Sequence, residues 1–244
     1  MTAEALRALH RRLPADGPLV LPGPWDAASA RAFEEAGYPA LATPSAGIAA
    51  SLGYEDGATP AAEMFAAVAR IVRSVSVPVT ADLEGGYGLP AAELVERVRE
   101  SGAVGVNLED SGPGRALKDA EAHAEWLAQV RAAAGPSLFV NARVDAYIRG
   151  SSDPLAEAIA RSRLYASAGA DCVYPIAAAP SDLPGLRAAL GDLPVNALAV
   201  PDGPSFTELF RLGATRVTFG DGLLTRALQD VRSLATTLRE DDRL

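Results

Sequence analysis

Short apolar runs rich in β-branched residues alternate with longer segments of helical periodicity along the whole chain. The apolar runs cover residues 19–22, 40–45, 77–84, 105–110, 137–145, 171–176, 195–199 and 216–220. In the segment 63–75, Phe65, Val68, Ala69 and Val72 recur at i, i+3, i+4 and i+7, the pattern of one helix face. Eight β runs separated by helices, with one unit in about every 30 residues, predict an α/β fold of the (β/α)8 (TIM) barrel type.

Turn residues support this alternation. Four glycines each close a predicted helix just before a β run: Gly37, Gly102, Gly169 and Gly213. Glycine suits the left-handed residue that ends a helix, and Asp26 is a suitable N-cap for a helix over 27–36. No Gly-x-Gly-x-x-Gly motif supports an open nucleotide-binding sheet. We therefore predict a single domain over residues 1–244, with a C-terminal helical tail from about residue 221.

The composition narrows the range of partners and locations. The chain has 244 residues, of which 49% are hydrophobic and only 6% aromatic, so its core must consist mainly of small aliphatic side chains. A formal net charge of −9 argues against nucleic acid or an anionic membrane surface as a partner. No apolar stretch approaches the roughly 20 residues of a membrane span, and the N-terminus lacks a signal pattern. One cysteine excludes an intrachain disulfide. These features favour the cytoplasm.

Acidic residues stand at the ends of three consecutive β runs. The third run ends in Asp82 and Glu84, the fourth in Glu109, and the fifth in Arg143 and Asp145. In a (β/α)8 barrel the catalytic groups lie at the C-terminal ends of the strands. Alternation along a strand predicts that Asp82 and Glu84 share a face, as do Arg143 and Asp145.

These clustered carboxylates predict a metal site. Burying several carboxylates together is costly unless a cation or hydrogen bonds compensate them. Oxygen ligands without a nearby histidine or thiolate select Mg2+, Mn2+ or Ca2+ over Zn2+. We expect Mg2+, with Mn2+ as a substitute. Arg143 beside the acids offers a cationic fork for a carboxylate or phosphoryl group of a substrate.

At these positions the chain resembles the isocitrate lyase / phosphoenolpyruvate mutase superfamily. The resemblance is carried chiefly by residues 81–88 (ADLEGGYG), 106–110 (VNLED) and 141–145 (NARVD). It is supported by residues 22–30 (PGPWDAASA), 45–50 (SAGIAA) and 53–56 (GYED). The resemblance implies a barrel enzyme that needs Mg2+ and makes or breaks a C–C or P–C bond next to a 2-oxo acid or its enolate.

The resemblance also implies roles for individual residues at the barrel mouth. Asp82 would bind the metal directly, and Glu84 and Glu109 would act through water. Asp56 would lie close to the metal waters, and with Glu109 and Arg143 it completes the set of catalytic candidates.

Substrate contacts follow from the same resemblance. The backbone amides of Ser45, Ala46 and Gly47, with the serine hydroxyl, would hold a substrate carboxylate, and Arg143 would neutralise the other end of the substrate. Asn196, at the end of the seventh run, is a further lining candidate. Trp25 starts the first helix of the barrel and is either a ligand contact or a packing residue.

The loop after the fourth run departs from the superfamily's lyases. In isocitrate and methylisocitrate lyases this loop carries Lys-Arg-Cys-Gly-His or a close variant, and its cysteine is the catalytic acid or base. Residues 111–119 (SGPGRALKD) contain neither cysteine nor histidine, so tricarboxylate lyase activity is not expected. Arg115 and Lys118 either reach a substrate or, the favoured alternative, lie in solvent. Cys172 is expected in the core, and Ile176 replaces a glutamate of the lyases.

Three functions fit this pattern. The first is a lyase, decarboxylase or hydrolase acting on a small 2-oxo acid of the oxaloacetate or phosphonopyruvate type. The second is a phosphonomutase acting on phosphoenolpyruvate or a carboxyphosphonate. The third is a catalytically reduced relative that binds a 2-oxo acid. The resemblance also suggests a homotetramer, although the short tail makes an exchange of C-terminal helices between subunits doubtful.

Overall fold

The computed structural model describes residues 1–11, 17–112, 114 and 116–241. The strands are β1 Leu19–Val20, β2 Leu41–Thr43, β3 Val79–Asp82, β4 Gly105–Glu109, β5 Phe139–Val144, β6 Cys172–Pro175, β7 Asn196–Leu198 and β8 Arg216–Thr218. The helices are α1 Ala3–His10, α2 Ala27–Glu35, α3 Ser45–Leu52, α4 Ala61–Val72, α5 Ala91–Ser101, α6 Ala120–Ala134, α7 Pro154–Ser167, α8 Leu183–Leu190, α9 Phe206–Leu212 and α10 Gly222–Asp241. Each strand lies inside one of the predicted apolar runs.

The strands are parallel and form two curled sheets. One sheet has the order β2-β3-β4-β5-β6 and the other the order β1-β8-β7. A parallel bridge between Val173 and Val195 links β6 to β7, and the Ala42 amide donates to the Pro22 carbonyl at 3.0 Å between β2 and the end of β1. The alternation and parallel direction are confirmed. The ladder is divided into two sheets rather than closed as one, since strands of two or three residues hold few ladder bonds.

Helix ends follow the predicted turn chemistry. Gly213 has φ +119°, and a Cβ there would come within 2.7 Å of Arg187 Cβ, so both the backbone angle and the space require glycine. At the start of α2, the Asp26 carboxylate accepts a hydrogen bond from the Ser29 amide at 2.7 Å as part of a capping box. These contacts fix the end of α9 before β8 and the start of α2 after β1.

Helix α1 covers the amino-terminal ends of the strands. Leu6 is fully buried there, and the His10 ring stacks on Phe139 with 4.3 Å between centroids. Arg7 Nε lies 2.8 Å from Asp171 Oδ1, just before β6. Helix α1 therefore packs against this end of the fold, and the acidic residues lie at the opposite, carboxyl ends of the strands.

The described part of the C-terminal tail is helical, since α10 spans Gly222–Asp241. Near the start of α10 Leu224 is buried and Ala227 is half-buried, whereas residues 228–240 are exposed. In the described part of the chain, no helix is both long and apolar enough to cross a bilayer. The cytoplasmic location stays a prediction.

Candidate active site

The end of β3 meets the start of α3 at the mouth. The Ser45 hydroxyl donates to Asp82 Oδ2 at 3.2 Å, so the first residue of α3 touches the last residue of β3. Pro44 is the N-cap of α3 and provides no side-chain cap. The first-turn amides of Ser45, Ala46 and Gly47 therefore lack the acceptor that a serine or aspartate cap supplies, which is the usual arrangement for holding an anion.

The position of Glu84 at this site does not follow from the alternation of side chains along a strand. Because β3 ends at Asp82, Glu84 lies in the following turn, with a left-handed φ of +52°. Its amide donates to Asp82 Oδ1 at 3.2 Å, and its carboxylate accepts from the Tyr87 hydroxyl at 3.3 Å. The expectation of a shared strand face is wrong for this pair. The two carboxylates are neighbours because the turn folds back on the strand end.

Arg143 lies at the centre of the acidic cluster. Its Nη1 is 2.8 Å from Glu109 Oε2 and 3.9 Å from Asp82 Oδ2. Its Nε and Nη2 donate to Asp145 at 2.7 and 3.2 Å, which confirms that Arg143 and Asp145 share a face. Paired carboxylates on three sides raise the pKa of the guanidinium, so it remains charged.

A second layer of contacts holds Asp145, whose side chain is fully buried. Ser111 donates to Asp145 Oδ2, and Arg149 Nη2 lies 3.5 Å from the same oxygen. The Asp145 amide donates to Asp110 Oδ1 at 2.8 Å. These bonds orient Asp145, and through it the plane of Arg143.

Asp110 belongs to the scaffold although it follows Glu109 directly. Its Oδ2 accepts from the Tyr165 hydroxyl at 2.8 Å and from Arg161 Nη1 at 3.2 Å, both on α7. Successive residues of a strand point to opposite sides, so Glu109 faces the mouth and Asp110 faces the helix layer. This pairing anchors α7 against the end of β4.

Acidic side chains at the mouth outnumber the cationic side chains beside them. Burial raises the pKa of Glu84 to about 7, and the charge of Asp82 adds to the rise. Burial also raises the pKa of Glu109 to about 8, although the Arg143 charge opposes it. Both glutamates thus resist ionisation unless a further cation enters.

The described residues of the loop after β4 make more contacts with the body than their sequence suggests. Ser111 and Leu117 form an antiparallel bridge, and Lys118 Nζ donates to the carbonyls of Gly85 and Glu109, each at 3.2 Å. Lys118 is half-buried and lines the mouth, so the alternative of a solvated lysine is wrong. Arg115 lies outside the described residues.

Two connected cavities open at the mouth. The mouth cavity, of about 1110 Å³, is lined by Glu84, Glu109, Lys118 and Trp126 among others. The inner cavity, of about 310 Å³, continues between the strands and is lined by residues that include Asp82, Asn107, Asn141, Asn196 and Arg216. Ser45, Asp56 and Arg143 line both cavities. Every catalytic and metal candidate therefore faces one continuous space.

The remaining candidates differ in position. Asp56 is exposed at the rim, and its charge contributes to the raised pKa of Glu84. Asn196 is buried and hydrogen-bonded to the Thr218 hydroxyl at 3.2 Å. Trp25 lies outside the lining of both cavities and makes an edge contact with Phe33 at 6.4 Å. Its predicted ligand contact stays a prediction.

The single cysteine is in the core, as expected. Cys172 has no exposed surface and contacts the Val173 carbonyl through Sγ, while burial raises the pKa of its thiol to about 12. Ile176 lines the inner cavity as an apolar wall. No thiolate nucleophile or acid is therefore available from Cys172.

The donors at the mouth fit a hard divalent cation. Asp82 presents two oxygens held by Ser45 and the Glu84 amide, and the two glutamates are held close to neutrality by burial and repulsion. Within the described ranges, no three acidic, histidine or cysteine side chains converge as a ready-made metal cage, because Glu109 is drawn to Arg143 instead. The arrangement suits a single direct carboxylate with the others acting through water, as Mg2+ prefers.

The chain is similar to known proteins of the phosphoenolpyruvate phosphomutase family and to related enzymes. A family model described as phosphoenolpyruvate phosphomutase matches residues 6–239. A candidate phosphonomutase from Burkholderia cenocepacia J2315 is 37% identical with a TM-score of 0.88, over 96% of this chain and 99% of its own. An oxaloacetate acetylhydrolase, solved with 3,3-difluorooxalacetate, is 26% identical with a TM-score of 0.87, over 98% and 86% of the two chains. An uncharacterized Mycobacterium tuberculosis H37Rv protein is 32% identical over 228 residues, 93% of this chain and 87% of its own.

Proposed function

Because the chain belongs to the phosphoenolpyruvate phosphomutase family, and so to a superfamily of lyases and phosphonomutases, we propose that it cleaves a C–C bond next to the 2-oxo group of a small acid, with Mg2+ as cofactor. Oxaloacetate-type acids are the proposed substrate class, handled by a lyase, decarboxylase or hydrolase reaction. The observation that supports this most directly is the position of Arg143 between Glu109 and Asp145, beside Asp82, at the floor of the mouth.

The proposed metal site uses the residues predicted from the sequence. Asp82 would bind Mg2+ directly, and Glu84 and Glu109 would hold its waters, with Mn2+ able to substitute. When bound, the cation supplies Lewis-acid stabilisation of the negative charge that develops on the 2-oxo oxygen. Loss of protons from the two glutamates would provide the matching negative charge.

The chain's own residues would bind and orient the substrate. Ser45 and Ala46, at the N-terminus of α3, line the inner cavity, and the first-turn amides of Ser45, Ala46 and Gly47 would suit the carboxylate next to the 2-oxo group. Arg143 keeps N–H donors on Nη1 and Nη2 for the far end of the acid, while Asp145 holds its plane. Lys118 keeps the short loop close to Gly85 and narrows the entrance. In a decarboxylation CO2 would leave and the electron pair of the broken bond would remain on the 2-oxo acid fragment as an enolate. In a hydrolysis water would add to the 2-oxo carbon, and the electron pair would leave on the departing carbon, which then takes up a proton.

The inhibitor-bound relative supports C–C chemistry. That oxaloacetate acetylhydrolase has also been solved with its product oxalate, a planar dianion with the shape of an enolate. The cysteine-bearing loop of the tricarboxylate lyases has no counterpart in residues 111–119, and Cys172 is buried. A small 2-oxo acid, which needs no such cysteine, is the better substrate class.

The test combines binding and turnover. Oxalate and Mg2+ together should raise the melting temperature far more than either alone. At a hundredfold excess of ligand over Kd, the free energy of unfolding should rise by about 2.7 kcal/mol. Purified enzyme with Mg2+ should then turn over oxaloacetate, phosphonopyruvate or a substituted malate, and exchange solvent deuterium into pyruvate. An unchanged melting temperature with oxalate and Mg2+ would contradict the proposal. Binding without any turnover would instead identify a catalytically reduced relative.

A phosphonomutase is the second candidate, favoured by the similarity to the Burkholderia protein over nearly the full length of both chains. Phosphorus NMR with phosphoenolpyruvate and Mg2+ separates the two. A signal from a P–C product would identify a mutase, and its absence together with turnover of oxaloacetate would favour C–C cleavage.

The raised pKa values of Glu84 and Glu109 predict an unusual pH dependence. Between about pH 4.5 and pH 8 the folded chain without metal holds protons on these groups, whose pKa values are raised to about 7 and about 8, while the unfolded chain, with glutamate pKa values near 4.5, has already released them. Stability in EDTA should therefore fall as pH rises through this window. Mg2+ should stabilise more at pH 8.5 than at pH 6.5.

Thermal unfolding in EDTA and in Mg2+ at both pH values tests this prediction. The variants E84Q and E109Q cannot ionise and should flatten the decline in EDTA. Equal slopes in the wild type and in both variants would assign the pH dependence to other groups.

Helix α10 supports the expected homo-oligomer. Its exposed face carries Leu228, Val231, Leu234 and Leu238, between 38% and 57% exposed, at the spacing of one helix face. A contiguous apolar stripe of this kind is typical of a surface that packs against another protein chain. We propose that it packs against a second copy.

Light scattering after gel filtration tests the oligomer. The wild type should exceed the mass of a 25.2 kDa chain, whereas V231E should shift it toward the monomer. The exposed polar change Q229E on the same helix is the matched control and should leave the mass unchanged. A monomeric wild type would contradict this prediction.

A further inference from the structure

Arg216 is an uncompensated cation inside the ring of strands. It lies on β8, is 1% exposed, and is the largest of the fully buried side chains. Among the described residues, no protein atom accepts a hydrogen bond from its Nε or Nη1. Buried polar groups are nearly always hydrogen-bonded, and an unpaired buried charge is far more costly.

Groups near Arg216 do not neutralise it. Burial raises the pKa values of both Cys172 and Tyr174 to about 12, so both are neutral at physiological pH. Burial lowers the pKa of His10 to about 3, and the Arg216 charge adds to this, so the imidazole is neutral as well. Asp82 attracts Arg216 electrostatically, but its oxygens are engaged by Ser45 and the Glu84 amide.

Arg216 lines the inner cavity together with other unpartnered polar atoms. The Oγ1 atoms of Thr43 and Thr80 and the Oδ1 atom of Asn141 are buried without a hydrogen-bond partner in the described chain, and all three residues line the same space. The interior of a (β/α)8 barrel is ordinarily filled by bulky branched side chains. Here a cation and two hydroxyl donors surround a cavity of about 310 Å³ instead.

We propose that the inner cavity binds one small anion, a carboxylate group or a halide, on the guanidinium of Arg216, with the hydroxyls of Thr43 and Thr80 as further donors. The anion is either a free monoanion, such as formate or a halide, or a carboxylate belonging to an acid that enters from the mouth. The inference needs no metal and does not depend on the proposed reaction. It adds a second anion site below the one expected at the N-terminus of α3.

Anion titrations in EDTA test the site. Formate and bromide should each raise the melting temperature of the wild type with saturation, and R216M should bind them about tenfold or more weakly, since it loses a charge-assisted hydrogen bond. In buffer without small anions R216M should be at least as stable as the wild type, because an apolar side chain replaces an unpaired charge. R211M, which removes an exposed arginine, is the matched control and should titrate like the wild type. Equal titration of R216M and the wild type would overturn the proposal.

Malonate, with two carboxylates, identifies the source of the anion. If the anion belongs to a larger acid, malonate binding weakens about tenfold in both R216M and S45A. If the anion is free, formate binding depends on Arg216 alone and S45A leaves it unchanged. Either pattern supports the site, and independence of both ligands from Arg216 refutes it.

A crystal of the wild type grown without metal and soaked in bromide provides a readout that does not depend on whether R216M folds. An anomalous peak within hydrogen-bond distance of Arg216 Nε or Nη1 is expected. Anomalous peaks on the surface alone, with none beside Arg216, would contradict the proposal. Because no metal is added, a failure here leaves the Mg2+ enzyme proposal untouched.

Discussion

Replacing Asp82 with asparagine should lower kcat/KM by about a thousandfold or more and abolish the joint stabilisation by oxalate and Mg2+. Asp82 is the proposed direct metal ligand, and the substitution exchanges one carboxylate oxygen for an amide nitrogen that cannot bind Mg2+. Lewis-acid stabilisation contributes several kcal/mol to the transition state, and about 4 kcal/mol corresponds to a thousandfold. The variant keeps the size of the side chain, so the fold should persist.

Two measurements separate this effect from a general loss of structure. The melting temperature of D82N in EDTA should stay close to that of the wild type, since the asparagine oxygen can accept from the Glu84 amide while its NH2 group donates to the Ser45 hydroxyl oxygen, at the positions of the two Asp82 oxygens. D192N, at a fully exposed aspartate, should match the wild type in activity and in the response to oxalate with Mg2+. Retention of that response by D82N would exclude Asp82 as a direct ligand.

The strands and the helix ends could be predicted because each depends on local sequence. A β run is defined by its own apolar residues, and a glycine that ends a helix is required by backbone geometry at that residue, as Gly169 and Gly213 show with φ values of +99° and +119°. Arg143 lies in β5 and Asp145 directly follows the last residue of that strand, so alternation still predicts the face that their hydrogen bonds confirm.

The position of Glu84 could not be predicted from alternation, since it depends on where β3 stops. The turn that follows the strand is shaped by contacts from distant elements. A Cβ on Gly86 would come within 2.6 Å of the Trp126 ring on α6, so this glycine serves helix packing. The sequence pattern of residues 81–88 does not indicate that α6 packs against this turn.

The half-buried position of Lys118 could not be predicted for a similar reason. Its loop has the composition of a solvated turn, yet Gly85 leaves the room that its ammonium group occupies, since a Cβ there would lie 2.8 Å from Nζ. The environment of Arg216 could not be predicted either, because the sequence around a single arginine in an apolar run does not indicate which side chains surround it. Both residues acquire their roles only from packing between strands far apart in sequence.

Replacing Arg143 tests the electrostatic centre of the site. R143M should destabilise the metal-free protein by about 3–5 kcal/mol, as removal of one partner from a buried ion pair leaves the other charges uncompensated. Asp145 and Glu109 would lose the cation that lies 2.7 and 2.8 Å from them. Activity should be lost in this variant, and Mg2+ should recover part of the stability by offsetting the charge of Glu109.

The variant R143K separates the contribution of the positive charge at this position from that of the planar guanidinium group. Lysine keeps the positive charge but cannot donate in parallel to both oxygens of Asp145 while it also reaches Glu109. We expect R143K to fold with nearly wild-type stability and to bind Mg2+ with oxalate, yet to lose about a hundredfold in kcat/KM because the substrate is no longer aligned. R163K, which also replaces a hydrogen-bonded arginine but on the remote surface of α7, is the control. Full activity in R143K would show that the site needs only a cation at this point, and the proposed alignment by a planar guanidinium would be wrong.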